Sequence, residues 1–310
     1  MPLPFTDQAD DDLDACVEMM RGGSKTFFAA SRFLPPRVRS ASIALYAFCR
    51  VADDMVDQGG VIEDSLRVLY HRLDLMYAGT PMDTVEDRAL CIVVHRHALP
   101  RHLLDALLDG FAWDGHGRQY ETMEDLHGYG ARVAGSVGAM MCWIMGPQQA
   151  STLARACELG VAMQLTNIAR DVGEDARNKR VYLPLEWLRE EGLDPATWLS
   201  RPECNPAVQR VISRVLDEAD RLYKRSMSGI AELPRDCRSA ILAAGLIYGE
   251  IGNELRSLGL DSVNHRAVVS GFRKALLLTQ ARLQAGWKKT KKLITERLWS
   301  RRHRPPSWYR

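Results

Sequence analysis

The chain lacks any long apolar run. Its longest, GSVGAMMCWIMG and AILAAGLIYG, fall well short of the roughly 20 residues a spanning helix needs, so no transmembrane segment is expected. Paired cysteines are missing too. The seven, at positions 16, 49, 91, 142, 157, 204 and 237, are odd in number, scattered and free of C-x-x-C, which argues against a disulfide framework or a zinc site. No run of alternating β-branched residues bounded by turns suggests a sheet, and no G-x-G-x-x-G follows a strand. There is no internal repeat or low-complexity linker to mark a domain boundary. The N-terminal MPLPFTDQADDDLDACVEMM is acidic and has no apolar core behind positive charge, so neither a signal peptide nor a presequence is read there and a cytoplasmic location is expected.

What is present is carboxylate, regularly placed. In QLTNIARDVGEDARNKRVYLP (164–184), Asn167, Asp171 and Asp175 recur every four residues, with Gln164 just before and Arg170 and Arg177 alongside. On a helix such residues share one face, about 6 Å apart along the axis. Upstream, YAFCRVADDMVD sets Asp53 and Asp57 at the same spacing, after Tyr46 and Arg50. One stripe alone reads equally as solvated i, i+4 pairs. Two, each in an otherwise apolar helix, need cations to neutralise them. Oxygen ligands suit Mg²⁺, which takes one or two carboxylates, keeps waters and completes its shell with substrate phosphate. The arginines can take phosphate oxygens the metal leaves unpaired. Asp54 points about 100° away from Asp53 and reads as a neighbour. A calcium loop fits poorly, because DDMVDQGG has Met55 where the second ligand belongs.

The net charge of +2 conceals an asymmetry. Residues 288–310 carry nine Lys or Arg and one Glu, a net +8, which leaves −6 on the preceding 287 residues. Trp299, Trp308 and Tyr309 interleave with those cations, a composition suited to an anionic membrane surface or to a solvated tail. Nucleic acid is disfavoured, since the acidic body would repel a phosphate backbone. The expected organisation is one all-α domain over 1–287 and a basic, aromatic-containing tail over 288–310.

Helical periodicity runs from Leu13 to Ala30, from Val38 to Val56, over about 64–78, 86–97 and 101–112, from Leu126 to Met145, and from about Gln148 through the second aspartate stripe. A polar connection containing Pro195, Pro202 and Pro206 then leads to helices near 206–229, 236–257 and 267–285. A bundle whose central helices surround a cavity is expected.

Three stretches together, SKTFFAASRFLPPRVRSASIALYAFCRVADDMVD, YGARVAGSVGAMM and QLTNIARDVGEDARNKRVYLP, closely resemble the squalene and phytoene synthase family over about residues 15–285, and look most like its bacterial phytoene-forming members. The resemblance implies an isoprenoid-synthase fold and Mg²⁺ or Mn²⁺ held between the motifs Asp53–Asp57 and Asp171–Asp175. It also implies head-to-head condensation of two geranylgeranyl diphosphates, through a cyclopropylcarbinyl diphosphate, to phytoene. All four aspartates are present, against a non-catalytic assembly factor on the same fold. A C30 dehydrosqualene or squalene synthase using farnesyl diphosphate is the alternative. Squalene formation would need NADPH, and no NADPH is expected here.

By the same resemblance, Ser24, Lys25 and Thr26 contact diphosphate, although a Ser-x-Thr also caps helices. Tyr46, Tyr129 and Tyr248 offer hydroxyls to phosphate or ring faces to cations, where the bland alternative is buried core tyrosine. Gln164 and Asn167 supply neutral oxygens. The allylic cations must be kept from water, so an apolar wall is expected from Val133, Ala134, Val137, Met140, Met141, Met163 and Leu165. Ala30 and Ser31 leave depth for a long prenyl tail, or else merely permit close helix packing. Replacing Asp53 or Asp171 by Asn should abolish turnover while holding or raising stability without metal.

Overall fold

The computed structural model describes residues 8–58 and 60–286. The basic tail and the side chains of Lys25 and Thr26 lie outside the described residues. The chain forms α1 (Ala9–Gly23), α2 (Lys25–Ser31), α3 (Pro36–Gln58), α4 (Ile62–Ala78), α5 (Val85–His97), α6 (Arg101–Gly115), α7 (Met123–Gly130), α8 (Ser136–Met145), α9 (Ala150–Arg170), α10 (Val172–Arg177), α11 (Leu185–Glu190), α12 (Pro195–Ser200), α13 (Pro206–Ser226), α14 (Arg238–Ser257) and α15 (Gly271–Gly286), with no strand among the described residues. The all-α expectation holds. No helix among them is long and apolar enough to cross a membrane.

Several helices break where periodicity ran on. Ser24 is extended (φ −149°, ψ 99°) and its Oγ accepts the Phe27 backbone N–H at 3.2 Å, so the segment expected from Leu13 to Ala30 is two helices joined at an N-cap. The stretch from Leu126 to Met145 is α7 and α8 separated by a π-helical turn, Ala131–Gly135, a deviation that apolar spacing does not encode. The connection after Pro184 contains α11 and α12, each of six residues. Helices that short show no usable period and depend on packing.

Two apolar clusters form the core, one built mainly from α1, α3–α6 and α8, the other from α7, α9–α14 and the loops between them. α9 packs against α8, α13 and α14. It comes close to the π-helical turn because residue 160 is glycine: a Cβ there would stand 2.2 Å from the Ala134 carbonyl oxygen. Between the two clusters lies a cavity of about 350 Å³.

Candidate active site

The cavity follows α9. Thr152, Ala156, Leu159, Met163 and Asn167 all line it, a span of fifteen residues or about 22 Å. Val133, Ala134, Val137, Met141 and Met163 form its wall as expected. Met140 and Leu165 do not. Each is fully buried in a core cluster, because each sits about 100° round its helix from a neighbour, Met141 or Gln164, that faces the cavity. Ala30 and Ser31 also line it.

The polar end of the cavity abuts both aspartate motifs. There Tyr46 and Cys49 of α3 and Gln164 and Asn167 of α9 reach the lining, Cys49 and Asn167 about one turn before their motifs and Tyr46 and Gln164 about two. Tyr248 lines it too, stacked on Phe27 at 5.4 Å between ring centroids, and Phe27 lies 6.3 Å from Tyr46. Three aromatic faces therefore stand at the mouth. Ser24 is nearby in sequence, with its oxygen committed to the α2 cap and its hydroxyl hydrogen left to donate.

The second motif is not one uninterrupted helix. α9 ends at Arg170, Asp171 leaves helical geometry (φ −105°, ψ 14°), and α10 begins at Val172. The cause is Gly173, whose N–H bonds the Ser262 carbonyl at 3.0 Å instead of continuing the α9 ladder. A Cβ at 173 would lie 2.0 Å from the Val263 carbonyl oxygen. That docking brings Arg266 onto the motif. Its guanidinium reaches Asp171 at 3.1 Å and Glu174 at 3.0 Å. Arg170 grips Asp171 with two bonds, at 2.8 and 2.5 Å. The four-residue register survives the kink, since Asp171 N–H still bonds Asn167 O and Asp175 N–H still bonds Asp171 O, both at 2.9 Å.

Each motif has one carboxylate that is clamped and one that is bare. Asp171 lies between two arginines, and Asp57 accepts from Arg180 Nη2 at 3.0 Å. Among the described residues no hydrogen-bond donor reaches the side chain of Asp53 or Asp175. Burial, reinforced by Asp57, raises the Asp53 pKa to about 6. Burial and the adjacent Asp171 raise that of Asp175 to about 7. Arg50 turns away from Asp53 and holds Asp54 at 3.0 and 2.7 Å. Arg177 is exposed.

Besides Arg266, three residues here escaped sequence reasoning as individuals: Asp114, Tyr182 and Arg180. Asp114 of α6 accepts the Tyr129 hydroxyl at 2.6 Å and the Tyr182 hydroxyl at 2.7 Å. It is buried deeply enough for its pKa to rise despite both bonds, and its charge bears on Asp53 and Asp175 alike. Tyr129 is thus buried against Asp114 and, contrary to expectation, does not line the cavity. Arg180 is delivered by the left-handed Lys179 (φ 60°) that closes α10, with Arg180 N–H bonding Asp175 O at 2.9 Å.

The oxygens present fit a hard divalent cation. Each motif offers one bare carboxylate, and Asn167 Oδ1, one turn before Asp171, is a buried acceptor with no partner. Among the described residues no three Asp, Glu, His or Cys side chains come together to hold a metal ion by themselves. An open half-shell completed by phosphate and water is the arrangement Mg²⁺ usually accepts.

Residues 20–273 match the squalene/phytoene synthase family. The chain belongs to that family. It is 49% identical to the phytoene synthase of Rhodobacter capsulatus over 280 residues, covering 89% of this chain and 83% of that one. Identity to the phytoene synthase of Cereibacter sphaeroides is 50%, also over 280 residues, covering 87% and 79%. Among solved structures, a dehydrosqualene synthase in complex with ligand superposes with a TM-score of 0.82 at 32% identity, over 91% of this chain and 98% of that one. A squalene synthase from Alicyclobacillus acidocaldarius shares the fold with a TM-score of 0.75 at 24% identity, over 82% and 96%. The family's isoprenoid-synthase architecture is the one described above.

Proposed function

We propose that this chain is a prenyl transferase that joins two molecules of geranylgeranyl diphosphate head to head, through a cyclopropylcarbinyl diphosphate, to phytoene in carotenoid biosynthesis. The observation that carries this reading is a long apolar cavity whose polar end meets two aspartate pairs. Relatives of about half identity over most of the chain bear the name phytoene synthase. Mg²⁺ or Mn²⁺, held by Asp53, Asp57, Asn167, Asp171 and Asp175, would supply the positive charge that lets an allylic diphosphate leave.

The chain's own groups do the rest. Arg170 and Arg266 keep Asp171 fixed and leave further N–H donors for phosphate oxygens. Arg50, held by Asp54 at the other motif, has the same capacity. The cavity wall excludes water while an allylic cation forms and is attacked by the double bond of the second substrate. Phe27, Tyr46 and Tyr248 present ring faces to that cation. Gln164 orients the polar head from α9. Ser24 does so from the start of α2, with Lys25 and Thr26 assigned the same role from sequence. The basic tail is assigned contact with the anionic inner surface of the cytoplasmic membrane, into which a hydrocarbon product must pass.

A dehydrosqualene synthase reading, with farnesyl diphosphate as substrate, is favoured only by the likeness to that solved structure. The test is a competition between the two diphosphates at saturating Mg²⁺, with the hydrocarbons separated and weighed by mass spectrometry. A dominant C40 product is expected. A dominant C30 product would overturn the substrate while sparing the head-to-head reaction, and no Mg²⁺-dependent diphosphate release would overturn both.

A further inference from the structure

α15 buries one face and leaves the other bare. Inward, Leu277 and Ala281 are fully buried, Leu278 joins Leu242 and Ala243 of α14, and Arg273 bonds Glu250 at 2.5 Å. Outward, Val268, Phe272, Leu276 and Leu283 are 69, 76, 45 and 70% exposed. The last three, with exposed Ala275 and Thr279 between them, follow helical spacing and form one stripe along the helix. Of the eight large exposed apolar side chains among the described residues, three lie on this one helix and a fourth, Val268, three residues before it. Scattered single apolar residues need no explanation, but a contiguous stripe does.

Its charge is equally one-sided. α15 contains Arg273, Lys274 and Arg282 and neither Asp nor Glu, and the sequence beyond it carries the net +8 of residues 288–310. The remainder of the chain is acidic. Glu250 of α14 neutralises Arg273, but on its own helix the apolar stripe has only cations beside it, the pattern of a helix lying in the interface of an anionic bilayer.

The stripe is also placed at the deep end of the cavity. Ile230 lines the cavity and at the same time packs in the cluster that contains Leu278 and Ala281. The Arg282 guanidinium sits 4.5 Å over the Phe33 ring, next to Leu34, which lines the cavity. One layer of side chains separates the inner face of α15 from the end of the cavity remote from the aspartates.

We propose that the outer face of α15 is a docking surface for an anionic lipid bilayer, seating the protein with the deep, apolar end of its cavity toward the membrane. The proposal deepens the functional reading, on which it rests for a hydrocarbon product that must leave without crossing the charged mouth. Docking buries Phe272, Leu276 and Leu283 in the acyl boundary while Lys274 meets lipid phosphates.

The test uses the full chain, without substrate, floated with phosphatidylcholine vesicles that contain or lack phosphatidylglycerol. Wild type is expected to float with the anionic vesicles and to be released by high salt. A variant carrying Phe272→Ser, Leu276→Ser and Leu283→Ser keeps every cation and should bind at least tenfold more weakly. Its fold is checked by circular dichroism and by unchanged turnover of detergent-dispersed substrate. Phe272→Leu, which preserves apolarity, should bind as wild type does. Equal flotation of the triple variant would overturn the proposal in favour of the tail alone. A wild-type dimer dissolved by the triple variant, with no flotation of either, would make the face a contact between copies and equally overturn it. Lipid binding is read apart from turnover, so an inactive protein that floats would defeat the enzymatic reading and leave this one standing.

Discussion

Arg180 Nη2 donates to Asp57 Oδ1 at 3.0 Å, tying the segment that follows the second aspartate motif to the first motif across 123 positions of sequence. Both side chains are partly exposed, 34% and 45%, so the pair contributes no more than about 1 kcal/mol to folding. Its consequence is geometric. It fixes where Asp57 stands relative to Asp175 and Asp114, and with it the opening into which diphosphate and metal must fit. Arg180→Gln is therefore expected to leave the melting temperature nearly unchanged and to lower kcat/KM by about 10- to 100-fold, the usual cost of removing a group that orients a ligand. The Mg²⁺ concentration for half-maximal rate should rise in parallel. Unchanged kinetics across a Mg²⁺ titration would show that Asp57 needs no such support.

Asp53 gives a prediction about pH. Its folded-state pKa of about 6 lies above the ordinary carboxylate value because burial, and then Asp57, penalise the charged form. Well below pH 3.8 the group is protonated in both folded and unfolded chains and costs nothing. Between that value and about 6 the folded state holds the extra proton, so stability falls as pH rises, and above about 6 the penalty is complete. Asp53→Asn should accordingly raise the melting temperature in metal-free buffer at pH 8, and the gain should shrink toward zero near pH 4. Asp175, raised to about 7, should behave alike over a window that begins at the same pH and extends to about 7. Thermal melts of each variant across that range, with chelator present, check the sign. A gain that persists undiminished at pH 4 would mean the effect is not ionisation.

How much of this was legible beforehand follows from what periodicity can carry. The two Asp-x-x-x-Asp stripes were readable because four-residue spacing survives in the backbone bonds, even though α9 stops at Arg170. The kink itself was not readable, yet Gly173 inside a helical pattern was a sign of close backbone approach. That approach is what brings in Arg266, a loop residue with no pattern of its own. Asp114 sits in FAWDG, where nothing distinguishes it from a solvated helix-end carboxylate. Its role appears only when α6, α7 and the chain after α10 are folded together. Met140 and Leu165 failed for a different reason: where a helix carries apolar residues on more than one face, sequence does not say which stripe faces a cavity and which faces core.

Asp171 shows why one expectation needs revision. A cluster of like charges should gain stability when any member is neutralised, and at Asp53 that argument holds. At Asp171 it does not, because Arg170 and Arg266 both bond it and Arg170 is itself largely buried, at 17% exposure. Neutralising the carboxylate leaves a desolvated guanidinium without its counter-charge. Asp171→Asn is expected to cost on the order of 2 kcal/mol and a few degrees in melting temperature, whereas Asp53→Asn at the same pH gains. Both should abolish turnover. Equal stability of the two variants in metal-free buffer at pH 8 would show that the clamp contributes little.

The depth of the cavity on the α2 side decides the last prediction. Ser31 is 5% exposed, its Oγ bonds the Phe28 carbonyl at 2.8 Å, and it lines the cavity with Ala30 and Leu34. A satisfied hydroxyl presents only a small surface to the cavity, so the space beyond it is open to a prenyl tail. Each isoprene unit buries five carbons. At about 0.8 kcal/mol per methylene-sized group, a fourth unit accepted there favours the longer substrate by up to about 4 kcal/mol. Phenylalanine at 31 would project its ring into that space, and overpacking against α3 would cost about 1–3 kcal/mol of stability. Ser31→Phe is expected to remain folded, to lose geranylgeranyl diphosphate turnover more than farnesyl diphosphate turnover, and to shift product from C40 toward C30. Ser31→Ala, which removes only the bond to Phe28, should leave the product ratio alone. Product analysis after competition between the two diphosphates reads all of this at once. A folded Ser31→Phe variant with the wild-type C40 to C30 ratio would place the end of the prenyl tail elsewhere along α9.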